Sequence, residues 1–348
     1  MQKTVLVTGG TGFVGAHIIL QLLQKDYKVK TTLRSISSSN KVIDTLKSNG
    51  ITNIENLSFV EADLSKDDNW DEAMNGCDYV LSVASPVFMT IPKDENEAIR
   101  PAVEGITRIL KAARNAGVKR VVMTSNFGAV GFSNKNSNKA TTEADWTDPD
   151  EKGLSAYEKS KLLAERAAWD FMKKEGGSME FATINPVAIL GPSLSAHISG
   201  SFGLLQHLLD GPMKVIPKIP LNIVDVRDVA QLHICAMTNP DANGQRFIAS
   251  ADGQISLPEI AALLKNKKPD IAKNISLKTI PNWVLEFSAL FSKQAKEGAL
   301  LLKISRNVSN NKAKEMFGWK PIANNEEIIL ASINSMVKYG ILTQSQRS

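Results

Sequence analysis

The run VLVTGGTGFVG at residues 5–15 constrains the fold of this chain more than any other segment. Val5, Leu6 and Val7 read as a short, fully buried strand, and residues 13–24 carry the apolar spacing of a helix. Between them Gly9, Gly12 and Gly15 recur at every third position, and Gly10, Gly12 and Gly15 also satisfy G-x-G-x-x-G. A strand that passes through a tight glycine turn into a helix aims backbone N–H groups and the positive end of the helix dipole at one point. That arrangement suits a pyrophosphate. Glycine is required where the turn is tight, where a phosphate nears the backbone, and where helix packs on strand. The context of strand, turn and helix predicts a dinucleotide-binding unit at the start of the fold.

The first half continues the same alternation of short apolar runs and helical patterns. Strands are expected at 29–33, 57–60, 79–83, 120–124 and 179–184, with helices at 40–47, 70–74, 96–116 and 154–174. This is the pattern of an α/β fold, a Rossmann-type doubly wound parallel sheet with helices on both faces. From about Gly191 the pattern turns mostly helical, at 202–209, 226–237, 257–265, 282–291, 312–317 and 326–339, with one strand-like run at 246–249. The expected organisation is a dinucleotide-binding domain over 1–190 and a smaller helical substrate lobe over 191–348. The lobes are expected to share one core, and the chain to cross between them.

Composition removes several classes of function. Basic and acidic residues, 41 against 36, are spread along the chain, and the densest basic cluster, Lys265, Lys267 and Lys268, has no interleaved aromatics. A solvated face is expected there rather than a nucleic-acid surface. Cys77 and Cys235 form no C-x-x-C and stand without partner histidines, so neither a disulfide framework nor a metal site is expected, and a reducing cytosol fits. No apolar run approaches the ~20 residues of a membrane span, and the early buried strand leaves no place for a signal peptide.

The end of the second strand reads Thr31-Thr32-Leu33-Arg34-Ser35, with Lys41 following. A carboxylate there would bond the adenosine ribose hydroxyls and repel a 2′-phosphate. Arg34 instead offers a planar fork for phosphate oxygens and Lys41 a point charge, so NADP is expected over NAD. Asp63, closing the third strand, can accept a hydrogen bond from an adenine amino group. The small residues Ala84 and Ser85 let a cofactor lie close to the fourth.

Tyr157 and Lys161 are one helical turn apart, so both side chains leave one face. A phenol is a poor acid at neutral pH, and a neighbouring ammonium favours its anion. Such a pair can give a proton to a carbonyl oxygen while hydride arrives at its carbon.

Taken with the glycine turn, this pair makes the chain resemble the extended short-chain dehydrogenases/reductases, in the branch of dihydroflavonol reductases, cinnamoyl-CoA reductases and aldehyde or methylglyoxal reductases. The resemblance rests on TGGTGFVG at 8–15, ADL at 62–64, ASP at 84–86, VVMTSN at 121–126, YEKSKLLAERAAWDF at 157–171, NPVAILGP at 185–192 and VDVRDVA at 224–230. It implies that Gly9, Gly12, Phe13, Val14 and Gly15 line the pyrophosphate turn, and that Arg34 and Lys41 take the 2′-phosphate of NADPH. It also implies that Asp63 and Leu64 flank adenine, and that Pro186 and Val187 lie against the nicotinamide. Tyr157 would be the acid, with Lys161 ordering the nicotinamide ribose and lowering the Tyr157 pKa. Val87, Phe88, Phe127, Ile189 and Phe202 would wall the substrate pocket.

One departure stands out. The family usually closes the fifth strand with Thr-Ser-Ser and uses the second Ser on the substrate carbonyl, whereas this chain reads Thr124-Ser125-Asn126. An amide donates to a carbonyl as a hydroxyl does, so either Asn126 or a shifted Ser125 is the polariser. The expected activity is NADPH-dependent reduction of small aldehydes or ketones by a monomer or homodimer. Two alternatives use the same fold: a redox-neutral nucleotide-sugar epimerase or dehydratase, and a non-catalytic NADP sensor. The apolar NPVAILGP segment and the basic Arg34/Lys41 pair oppose the first, and retention of Tyr157 and Lys161 opposes the second.

Overall fold

The computed structural model describes residues 2–86, 94–210 and 213–342. Strands β1 (Thr4–Val7), β2 (Lys28–Leu33), β3 (Leu57–Glu61), β4 (Tyr79–Ser82), β5 (Arg120–Thr124), β6 (Glu180–Pro186) and β7 (Gln245–Ala249) form one sheet. Their order is β7-β6-β5-β4-β1-β2-β3, and every neighbouring pair is parallel. Parallel neighbours need crossovers. These include α1 (Phe13–Gln24), α2 (Ser39–Ser48), α3 (Trp70–Met74), α4 (Glu95–Asn115) and α5 (Ala156–Glu175).

Successive strand residues point to opposite faces, so each apolar run feeds two cores. Val5, Val7, Leu81 and Val122 pack with Ile18 and Leu46 of α1 and α2. Leu6, Val80 and Val121 pack with Trp70, Ile109 and Ala168 of α3, α4 and α5. Strand order reverses between β1 and β4, which opens a crevice at the carboxyl ends of the strands.

A third apolar cluster builds the second lobe, with Phe202, Leu205, Leu257, Ile260, Ile329 and Ile333 at its centre. It joins α6 (Phe202–Leu209), α8 (Leu257–Lys267) and α12 (Asn325–Lys338); between them lie α7 (Val226–Thr238), α9 (Asn282–Ser288), α10 (Lys293–Lys303) and α11 (Asn311–Phe317). Capping boxes start α8 and α12, at Ser256 with Glu259 and at Asn324 with Glu327. No helix among the described residues is long and apolar enough to cross a membrane.

The strand-like run at 246–249 is not isolated among the lobe helices. It belongs to β7, an edge of the main sheet, with Ala249 opposite Pro186 of β6. The chain therefore leaves the sheet after β6, builds part of the lobe and returns through α7, which packs on α1. Gln21 Nε2 of α1 donates to Arg227 O at 2.9 Å across that contact. The expected helix from 154 begins instead at Ala156, because the Ser155 hydroxyl caps it by accepting from Glu158 N.

Phe202 is fully buried and meets the Phe13 ring edge to face, with centroids 5.4 Å apart. Phe202→Ala should therefore lower unfolding free energy by about 3–5 kcal/mol. Denaturant unfolding checks this, and a loss under ~1 kcal/mol would show that the position is not core.

Candidate active site

The glycine turn is held from two sides. Gly9 has φ +76°, a conformation natural to glycine, and a Cβ on Gly15 would lie 2.5 Å from Gly9 O. The buried Thr8 hydroxyl accepts from Val83 N and Ala84 N, both at 2.9 Å, tying the turn to the end of β4. Thr32 Oγ1 accepts from Gly9 N at 3.1 Å. Gly12 is the extended residue before α1, and the N–H groups of Phe13 and Val14 begin the helix without intrahelical partners. The Phe13 side chain serves the core. His17, one turn on, is held to Pro192 O at 2.8 Å, and burial lowers its pKa to about 4, so the ring is neutral.

Arg34 and Lys41 are exposed, and neither makes an ion pair among the described residues. Asp63 Oδ1 accepts from both Ser65 N and Ser65 Oγ at 2.8 Å. Those bonds, with the charge of Arg34 adding, hold its carboxyl below the ordinary range. Leu64, Ala84, Ser85, Thr124 and Lys161 line one small cavity between the strand ends and helices α4 and α5. Pro186 and Val187 stand at the same edge, where Val187 N donates to Ala249 O at 3.1 Å.

Lys161 leaves α5 toward this edge, and Tyr157 stands one helical turn before it. Lys161 Nζ, buried, donates to Thr124 O at 3.4 Å. The electrostatics differ from the expectation that Lys161 draws the phenol down. Tyr157 keeps 44% of its surface open to solvent. Burial, with the charge of Glu158 second, pushes its pKa up to about 12. Burial lowers Lys161 to about 8, opposed by the charge of Glu165. Burial favours the neutral form of each group, and it is far deeper at Lys161 than at Tyr157. Glu158 is itself pushed up to about 7 by burial, with Glu297 of α10 adding.

Ser125 and Asn126 separate cleanly. Ser125 is buried and its Oγ donates to Glu165 Oε2, beneath the sheet edge. Asn126 is half-buried, its Oδ1 accepts from Ala129 N at 3.2 Å, and its main-chain O accepts from Asn185 Nδ2 at 3.2 Å. The cap on Oδ1 leaves the Asn126 amide N–H groups as donors. A Cβ on Gly128 would meet Glu158 Cγ at 2.7 Å and Asn126 Oδ1 at 3.0 Å, so the start of α5 and the Asn126 turn are in close contact.

The expected substrate wall is only partly assembled. Val87 and Phe88 lie outside the described residues. Phe127 is buried against Phe132, with centroids 6.2 Å apart, and Phe202 is in the lobe core. Ile189 is half-buried, with its carbonyl accepting from Ser199 Oγ at 2.8 Å. Sequence reasoning passed over Thr8, Glu165, Asn185 and Arg246. Glu165 carried a usable signal, because it follows Lys161 by one helical turn; Arg246 carried none, because its partner is distant in the chain.

The 3-beta hydroxysteroid dehydrogenase/isomerase family model matches residues 6–254. Over 283 residues the chain is 33% identical to an anthocyanidin reductase ((2S)-flavan-3-ol-forming) of Vitis vinifera, covering 77% of this chain and 82% of that protein. Over 277 residues it is 33% identical to a dihydroflavonol 4-reductase of Zea mays, covering 77% and 75%. The yeast methylglyoxal/isovaleraldehyde reductase Gre2, solved as a complex with NADPH, matches with a TM-score of 0.79 at 27% identity. That match covers 98% of this chain and 100% of the other.

Gly15→Ala should destabilise the fold by about 1–3 kcal/mol through the forced contact with Gly9 O. Gly200→Ala, where a Cβ meets nothing within 4 Å, is the control and should be near neutral. Parallel thermal melts decide it, and equal melting of the two variants would show that the turn tolerates a side chain.

Proposed function

Because the chain belongs to the 3-beta hydroxysteroid dehydrogenase/isomerase family, within the extended short-chain dehydrogenases/reductases, we propose that it is an NADPH-dependent reductase of small aldehydes and ketones. The observation that carries this reading is a small cavity where Lys161 meets Leu64, Ala84, Ser85 and the Thr124 carbonyl at the strand ends. It brings Lys161 of α5 to the end of β4, which the Thr8 hydroxyl ties to the glycine turn.

The residues fit a dinucleotide. The Gly9–Gly15 contact leaves room for backbone but not for side chains, and the first N–H groups of α1 point from that turn. Arg34 and Lys41, neither in an ion pair among the described residues, would take a 2′-phosphate. When bound, the nicotinamide supplies hydride.

This chain's own residues do the rest. Lys161 holds the nicotinamide ribose and lends positive charge. Asn126 donates its amide N–H to the carbonyl oxygen, because Ser125 is committed to Glu165. Tyr157, its proton held by burial, delivers that proton as negative charge develops on the oxygen. Glu158 beside it is a carboxyl able to exchange protons near neutrality.

Two experiments test the reading. Arg34→Ala with Lys41→Ala should weaken NADPH binding while sparing NADH, since each charge-assisted phosphate contact contributes roughly 1.5–3 kcal/mol. Fluorescence titration with both cofactors measures it, and equal losses would show that these cations do not read the 2′-phosphate.

The second follows NADPH oxidation across a panel of carbonyls. Tyr157→Phe should keep NADPH binding and lose at least ~10²-fold in turnover. Asn126→Ala should lose on the order of 10²-fold and Ser125→Ala distinctly less. Full turnover in Tyr157→Phe would remove the acid and with it this mechanism. Interconversion of a nucleotide sugar without net NADPH consumption would replace the reading with the redox-neutral one.

A further inference from the structure

Beneath Ser125 and Asn126 lies a polar network that the proposed reaction does not use directly. Its centre is Glu165 of α5, which is fully buried. It accepts from Ser125 Oγ, from Asn185 Nδ2 at 2.7 Å, from Thr183 Oγ1 and Trp169 Nε1 at 3.2 Å, and from Arg246 Nε at 2.7 Å. These donors come from the residue that follows β5, from β6 and β7, and from α5 itself, so one carboxylate ties the ends of three neighbouring strands to the catalytic helix. Arg246 is equally committed. It donates to Glu143 O and Asp145 O, both at 2.8 Å, and its guanidinium stacks 3.7 Å from the Trp146 ring centroid.

A fully buried ion pair is a poor device for stability alone, because desolvation offsets most of its attraction and apolar replacements of like volume are often neutral or better. Its location suggests another use. Asn185 donates one amide hydrogen to Glu165 and the other to the main-chain carbonyl of Asn126. Ser125, the neighbouring hydroxyl, is drawn to Glu165 and away from the cleft.

We propose that Glu165 is a positioning residue for the reduction. Through Asn185 it fixes the backbone at Asn126, and through Ser125 it keeps the competing hydroxyl turned inward, so that the Asn126 amide faces the substrate carbonyl. This rests on the reductase reading above. Glu165 also faces Lys161 one turn back, and its charge opposes the burial that lowers the amine. The other charged groups nearby are Arg246 against Glu165, with Glu143 and Lys312 beyond it. On its own helix Tyr157 and Glu158 precede Lys161 by one turn, and the cavity that it lines with Ser82, Met123, Thr124 and Ala164 has no other charged residue.

The test uses the full chain, with NADPH oxidation and NADPH fluorescence titration read side by side. Asn185→Ala removes the link to Asn126 but leaves the charge of Glu165. It should lower kcat roughly 10- to 10²-fold, as for a small misplacement of a reacting group. Its NADPH affinity and pH profile should be unchanged. Glu165→Gln should lower kcat similarly and also move the alkaline fall of kcat/KM to lower pH, because Lys161 then loses its proton more readily. Glu165→Asp, which keeps the charge, should restore the pH limb more than the rate. Should Glu165→Gln fail to fold by circular dichroism, Asn185→Ala and Glu165→Asp decide the matter. Wild-type kcat in Asn185→Ala, or a pH limb unmoved by Glu165→Gln, would overturn the proposal. If Tyr157→Phe is still inactive in that case, the reductase reading stands and only the positioning role falls.

Discussion

A parallel sheet sends the carboxyl end of every strand to one edge, and each part of the candidate site arrives there for that reason. The glycine turn follows β1, Arg34 follows β2, Asp63 follows β3, Ala84 and Ser85 follow β4, and Asn126 follows β5. Pro186 closes β6. None of these residues needs to be near another in sequence. What fixes their mutual geometry is strand register together with a few side-chain ties, such as Thr8 holding the ends of β1 and β4 together.

Features that depend on local chemistry were readable from the sequence. The glycine turn, the apolar strands and the Tyr157–Lys161 spacing each lie within one or two elements, and the structure keeps them. Features that depend on pairing across a crossover were not. Residues 246–249 showed strand character but not a partner, since β7 meets β6 only after the chain has built part of the second lobe. The same holds for the contact of Arg246 with Glu165, made between α5 and β7. Phe202 illustrates a different limit, because an aromatic in a mobile-looking Gly/Ser context reads alike for a pocket wall and a core. Only the packing against Phe13 distinguishes them.

Burial sets the charge states of the site more strongly than neighbouring charge does. Desolvation raises Tyr157 and lowers Lys161, so the phenol is held protonated while the amine is left close to its own titration. Reading Y-x-x-x-K as an ion-stabilised phenolate omits the solvent that Lys161 has lost and the charge of Glu158 beside Tyr157. Glu165, Asn185 and Arg246 then matter because they are fully paired; a buried network with one missing partner would be a liability at this position.

Phe13 belongs to two parts of the molecule at once. Its backbone opens α1 at the glycine turn, and its ring is seated in the lobe core beside Phe202, with His17 bonded to Pro192 one turn further on. A change of side chain at residue 13 would therefore be felt in two places, in the lobe core where the ring packs and at the first turn of α1 where its backbone begins the helix.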